Sequence, residues 1–169
     1  MSSIGMVVGF AAPLMAHDQN LEGFQGTNWG MSEKQVQEIF DGKLSHWINT
    51  ETPSNLFGLR HYDVDGCDFS VDFRFDRDGL SRVGMQLNND TKIECPGLIL
   101  ETLIGKYGLP STDRPLIRSD SGSHMRLWFL GNTKIREIDT EARKIGTLPL
   151  RSSLSIYYEP TQTAGAKKL

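Results

Sequence analysis

Cys67-Asp68-Phe69-Ser70-Val71-Asp72-Phe73-Arg74-Phe75-Asp76 is the stretch on which the fold turns. Apolar and polar residues alternate along its whole length. A period of two is that of a strand with one face on a core and the other in water. Turn chemistry flanks it, with Asp65-Gly66 before it and Asp76-Arg77-Asp78-Gly79 behind it. Leu56-Phe57-Gly58-Leu59-Arg60-His61-Tyr62 reads as the strand entering the first turn. Val83, Met85 and Leu87 alternate on the strand leaving the second. Hairpins of this kind build an antiparallel sheet.

Working outward, two helices and a second hairpin emerge. Ser32 stands three residues before Gln35, the spacing of a capping box, and Met31 and Val36 suit a hydrophobic staple. Val36, Ile39 and Phe40 form an apolar stripe that Gly42 ends. So short a helix depends on tertiary packing. The second helix is expected over Pro96–Tyr107, with Leu100, Leu103, Ile104 and Tyr107 on one face, Gly108 at its end and Pro110 barring continuation. Ser111 to Ser123 reads as a polar loop. His124–Leu130 and Thr133–Asp139 read as a hairpin around Gly131-Asn132, and Leu154, Ile156 and Tyr158 mark a last strand. The fold class is α+β: an antiparallel sheet with two helices packed on one face and a weak α-β-β-β repeat.

The chain of 169 residues has room for one domain and a sizeable core, expected over residues 17–160, with 161–169 as a flexible tail. A net charge of -3 argues against a general nucleic-acid binder. Ile4 to Ala16 contains no charged residue and is too short to span a bilayer, so residues 1–16 read as a signal peptide cleaved after Ala16. Only Met1-Ser2-Ser3 precede the apolar run, so the leader reads as truncated at its N-terminus. No Cys follows it to carry a lipid. The expected address is the bacterial periplasm or the exterior, without stable membrane insertion.

In an oxidising compartment, two cysteines without metal-type partners are most simply a disulfide. Cys67–Cys95 would tie the alternating strand to the second helix, and two buried thiols are the alternative. Catalytic and metal signatures are missing. His17, His46, His61 and His124 have no ligand spacing. Asp76-Arg77-Asp78-Gly79 lacks the rest of a calcium loop and reads as a turn. No nucleophile elbow or phosphate cradle occurs, and Ser119–His124 reads as a solvated turn. No cofactor is expected.

Surface candidates remain. Asp68, Asp72 and Asp76, with Arg74 between them, line one outward strand face, either as an acidic patch for a basic partner or as ordinary solvated surface. Arg60, Arg82 or lysine residues are expected to face these acids. Trp128 falls on the opposite strand face from Met125, Leu127 and Phe129, so it is either covered by a loop or an exposed anchor for a partner. Tyr157 and Tyr158 pose the same question.

A resemblance rests on three motifs: Trp29-Gly30-Met31-Ser32, Phe73-x-Phe75-Asp76-x-x-Gly79-Leu80, and Leu103-x-x-x-Tyr107-Gly108-x-Pro110. Together they resemble small exported bacterial α+β domains whose architecture is similar to the beta-lactamase-inhibitor protein and to the BamE-type envelope lipoproteins. The motifs are capping and turn devices, so they speak to fold. The expected function is a non-enzymatic protein-binding module of the bacterial envelope, with an unknown protein partner. The alternative is a proteinaceous inhibitor or immunity protein that neutralises a secreted toxin or hydrolase. A small hydrolase with acidic catalytic residues is a third class.

Overall fold

The alternation of Cys67–Asp76 sorts the molecule into two faces. In a computed structural model that describes residues 21–49, 54–88, 94–116, 122–140, 143–145, 148–150 and 152–161, Cys67, Phe69, Val71 and Phe73 are buried. Asp68, Ser70, Asp72 and Arg74 lie on the other side of the strand. The elements in chain order are α1 (Glu33–Ile39), β1 (Ser45–Asn49), β2 (Ser54–Val64), β3 (Cys67–Asp76), β4 (Gly79–Leu87), α2 (Cys95–Tyr107), β5 (Thr112–Pro115), β6 (Ser123–Leu130), β7 (Thr133–Thr140), β8 (Arg143–Ile145), β9 (Leu148–Leu150) and β10 (Ser153–Pro160). Eight strands form one sheet in the order β1-β2-β3-β4-β10-β7-β6-β5, and β8 pairs with β9 separately. Every neighbouring pair in the large sheet is antiparallel.

The order shows how the halves relate. After α1 the chain runs from one edge to the centre through β1, β2, β3 and β4. After α2 it runs from the opposite edge through β5, β6 and β7 to β10. Each helix therefore precedes four strands of the sheet, which corrects the expected three. The missed strands are the two edges. β5 reads Thr-Asp-Arg-Pro and lies inside what was expected to be loop. Charge and proline weaken a strand signal, and they are the residues that protect a sheet edge from further pairing. The short β1 has only five residues.

Both helices lie on the same face. The Phe40 ring, just past α1, is 5.2 Å from Phe73, and Cys95 of α2 is bonded to Cys67. Phe73 and Cys67 share the buried side of β3. The capping box of α1 forms as expected: Ser32 N donates to Gln35 Oε1 at 2.8 Å, and Gln35 N donates to Ser32 Oγ at 3.4 Å. Val36 is fully buried, but Ile39 is 39% exposed, so the stripe is narrower than its spacing suggests. In α2 the buried residues are Cys95, Ile99 and Leu103, while Leu100, Ile104 and Tyr107 pack half-buried beside them. Gly108, at φ 78, ends the helix.

The disulfide spans 28 residues. Closing a loop of that length in the unfolded chain stabilises the fold by roughly 3.5 kcal/mol in the chain-entropy account. The segment before α1 is also part of the core. The Phe24 ring sits 5.0 Å from Tyr158 and 6.2 Å from Phe73. Thr27 Oγ1 holds that turn, accepting from Phe24 N at 3.0 Å and donating to Phe24 O at 2.7 Å. Farther on, Gly30 N donates to Leu80 O at 3.0 Å and Leu80 N donates to Met31 O at 2.7 Å. This contact needs Gly79. Its φ is +98, and a Cβ there would stand 2.2 Å from Gly30 O.

One expectation about the surface is corrected here. Trp128 is 1% exposed, and its Nε1 donates to Gly108 O at 2.9 Å. It packs in register with Ile135 on the helix-covered face, so it is a core residue and not an anchor for a partner. Its neighbour Phe129 points the other way and is 54% exposed. Tyr158 and Tyr157 divide in the same manner, Tyr158 buried and Tyr157 on the opposite face. No described helix is long and apolar enough to cross a membrane. The expected leader over residues 1–16 and the tail beyond Thr161 lie outside the described residues, as does the first half of Ser119–His124.

Candidate functional site

Both described helices and Phe24 occupy one side of the sheet, so the other side stays uncovered among the described residues. Cross-strand register fixes what that side presents. Asp72, Gly84, Tyr157, Arg136, Leu127 and Thr112 are successive partners across six strands. Gly84 lowers the floor, since a Cβ there would stand 2.6 Å from Asp72 Oδ1. Beside it the Tyr157 ring is held between two guanidinium groups, with Arg136 at 4.9 Å and Arg82 at 5.6 Å from its centroid. Such cation–π contacts at accessible sites contribute about 0.5–1 kcal/mol each. Glu159 binds Lys134 Nζ at 2.9 Å with one oxygen and Arg136 Nη2 at 3.1 Å with the other. Toward β6 the surface becomes apolar, with Met125, Leu127 and Ile138 half-buried and Phe129 exposed.

Each of the sequence-predicted acids has a local partner. Asp68 contacts His61 Nδ1 at 2.9 Å and accepts from Asn88 Nδ2 at 2.8 Å. Burial works against its charge, but these hydrogen bonds prevail and hold its carboxyl below the usual range. Asp72 accepts from Arg74 Nε at 3.1 Å. Asp76 accepts from Asp78 N at 2.8 Å and belongs to the turn. Arg82, expected opposite an acid, stands in register with Arg74 instead. The centre of this face is therefore cationic and aromatic. Lys134, Arg136, Tyr157 and Glu159 were not identified as a group from sequence, because only the β4–β10–β7 register brings them together.

One end of the uncovered face deepens into a cavity of about 680 Å³, within the ~300–1,000 Å³ range of ligand pockets. Arg74, Arg82, Lys134 and Glu159 line it from the sheet, Trp29 from the segment before α1, and Asp78 from the β3–β4 turn. Trp29 is held in place by its Nε1, which donates to Thr133 Oγ1 at 2.9 Å.

A second polar group lies on the helix-covered side and is structural in form. Arg126 Nη1 donates to Glu137 Oε2 and Asp139 Oδ2, both at 2.9 Å, and Arg126 Nε donates to Asp113 Oδ2 at 3.3 Å. His124 Nδ1 lies 3.4 Å from Asp113 Oδ1. Glu137 is fully buried. Burial pushes its carboxyl up to about 7, against the opposing pull of Arg126. The same acids hold the Arg126 proton above its ordinary range despite desolvation. Three carboxylates around one guanidinium carry excess negative charge, and the most buried of them is where a proton is best retained. Among the described residues no group of three His, Cys, Asp or Glu side chains is arranged to hold a metal ion.

No family model matches the chain, and no curated protein matches it. Among solved structures, it is similar to a DUF4309 family protein, YjgB, from Bacillus subtilis. The likeness is at 16% identity over 81% of this chain and 84% of that one, with a TM-score of 0.46.

Proposed function

We propose that this chain is an exported, non-enzymatic module of the bacterial envelope that binds a protein partner through the uncovered face of its sheet. The observation that carries the reading is the asymmetry of that sheet. One side is sealed by α1, α2 and Phe24. The other presents Tyr157 between Arg82 and Arg136, grading into the exposed Phe129. Rigid aromatic residues and arginines are the groups that dominate protein–protein binding energy. The disulfide supports an extracytoplasmic address, because such bonds persist in oxidising compartments.

Two experiments test the reading. Mass spectrometry of the protein recovered from a bacterial envelope should find an N-terminus at His17 and no free thiol. An intact Met1 on that material would contradict export by cleavage. Affinity capture from envelope extract, run in parallel with wild type and with Phe129→Asp plus Arg136→Glu, tests the binding face. A protein retained by the wild type and lost with the double variant is the expected result. Equal retention by both would remove the face from consideration.

A further inference from the structure

We propose that the cavity beside Trp29 is a binding site for a carboxylate, carried by a small molecule or by the C-terminus of a peptide. Three cations and three carboxylates line it, and the pairing of these groups leaves one cation over. Lys134 is paired with Glu159, whose second oxygen is taken by Arg136. Arg74 is paired with Asp72. Arg82 has no carboxylate within ion-pair distance among the described residues, and its Nε is buried without a hydrogen-bond partner. It also stands directly across from Arg74, and like charges in that position are unfavourable. Its guanidinium lies over the Tyr157 ring, and a half-buried arginine that lines a cavity without a carboxylate partner is a group that an anion relieves.

The rest of the lining selects the kind of anion. Asp76 and Asp78 also line it. They oppose a doubly charged phosphate and accept from an N–H or ammonium group next to a singly charged carboxylate. Trp29, Phe75 and Pro160 supply apolar surface for whatever the carboxylate carries. The site thus matches a carboxylate with a nitrogen donor close by, as in an amino acid or a peptide terminus. Its residues come from four separate parts of the chain.

The indole N–H of Trp29 reports on the site, since Trp29 lines the cavity and its N–H is held by the buried Thr133. The experiment follows that proton in ¹H–¹⁵N spectra of the oxidised protein, assigned with Trp29→Phe. The probes are glycine, the tripeptide Gly-Gly-Phe as free acid, the same peptide as C-terminal amide, and inorganic phosphate. The expected result is a saturable shift with the free acid that weakens about tenfold or more with the amide and is lost in Arg82→Gln. The exposed Arg74→Gln should weaken it as well and guards against a folding defect in the first variant. Glycine binding as tightly as the tripeptide assigns the site to small molecules, and preference for the tripeptide assigns it to chain termini. Three results overturn the proposal: equal shifts with acid and amide, tighter binding of phosphate than of any carboxylate, or no shift with any probe at millimolar concentration. The readout does not depend on a protein partner, so it stands or falls separately from the binding face proposed above.

Discussion

Replacing Glu137 by Gln keeps the shape of the side chain and removes one titrating proton from the interior. In the folded protein the Glu137 carboxyl is pushed up to about 7 by burial, from an ordinary value of 4.5. Between those values the folded state binds more protons than the unfolded chain. Stability from this group is therefore fully present below about pH 4.5 and is lost as pH rises to about 7. A displacement of that size, at about 1.4 kcal/mol per pH unit, amounts to roughly 3.5 kcal/mol. For a domain of this length that is about 7–14 °C in Tm. Thermal unfolding of wild type and Glu137→Gln, followed by circular dichroism from pH 4 to pH 8, isolates the effect. Asp113, Asp139 and His124 share the cluster and are present in both proteins. The variant should gain on the wild type as pH rises from about 4.5 to about 7 and hold that gain above it. A difference independent of pH would refute the reasoning. A variant that loses ground with rising pH would show that ionised Glu137 paired with Arg126 is the stabilising form.

Other perturbations probe the remaining parts of the fold. Cys67→Ala with Cys95→Ala should cost roughly 3–4 kcal/mol in urea unfolding, and a loss under about 1 kcal/mol would mean the bridge constrains little. Trp128→Ala should cost about 3–5 kcal/mol as a core truncation, whereas Phe129→Ala, one residue on, should change stability by no more than about 0.5 kcal/mol; equal losses would contradict the assignment of the two faces. Gly79→Ala should destabilise by about 2 kcal/mol or more, because its positive φ and the close Gly30 carbonyl both oppose a Cβ. Unchanged stability in that variant would argue against the contact between the N-terminal segment and β4.

What the sequence discloses and what it hides have physical reasons. Alternation in Cys67–Asp76, the Asp65-Gly66 and Gly131-Asn132 turns, and the Ser32–Gln35 capping box are local devices. Each can be read without knowing its neighbours, and all appear in the structure. The two edge strands lack such devices because edges favour short, charged, proline-containing segments. Strand β6 misleads for another reason. Met125, Leu127 and Phe129 alternate as a core face should, yet the register with β7 turns Arg126 and Trp128 inward. Burying Arg126 is tolerable only because Glu137, Asp139 and Asp113 meet it there, and those partners come from two other strands. The cavity is hidden in the same way. Trp29, Arg74, Arg82, Lys134 and Glu159 are scattered along the chain, and only the register of β3, β4, β10 and β7 gathers them. Asp68, Asp72 and Asp76 were visible as a periodic set, but each found a separate local partner.

The central claim is that the uncovered face of the sheet is where a partner binds. Its most direct measurement is site-specific photo-crosslinking in cells that export the protein. A photoreactive residue is placed in turn at Gln86 and Phe129 on the uncovered face, and at Glu101 on the exposed side of α2. The account predicts a discrete protein adduct of the same mass from Gln86 and Phe129 and none from Glu101. Adducts from Glu101 alone, or from all three positions alike, would contradict it.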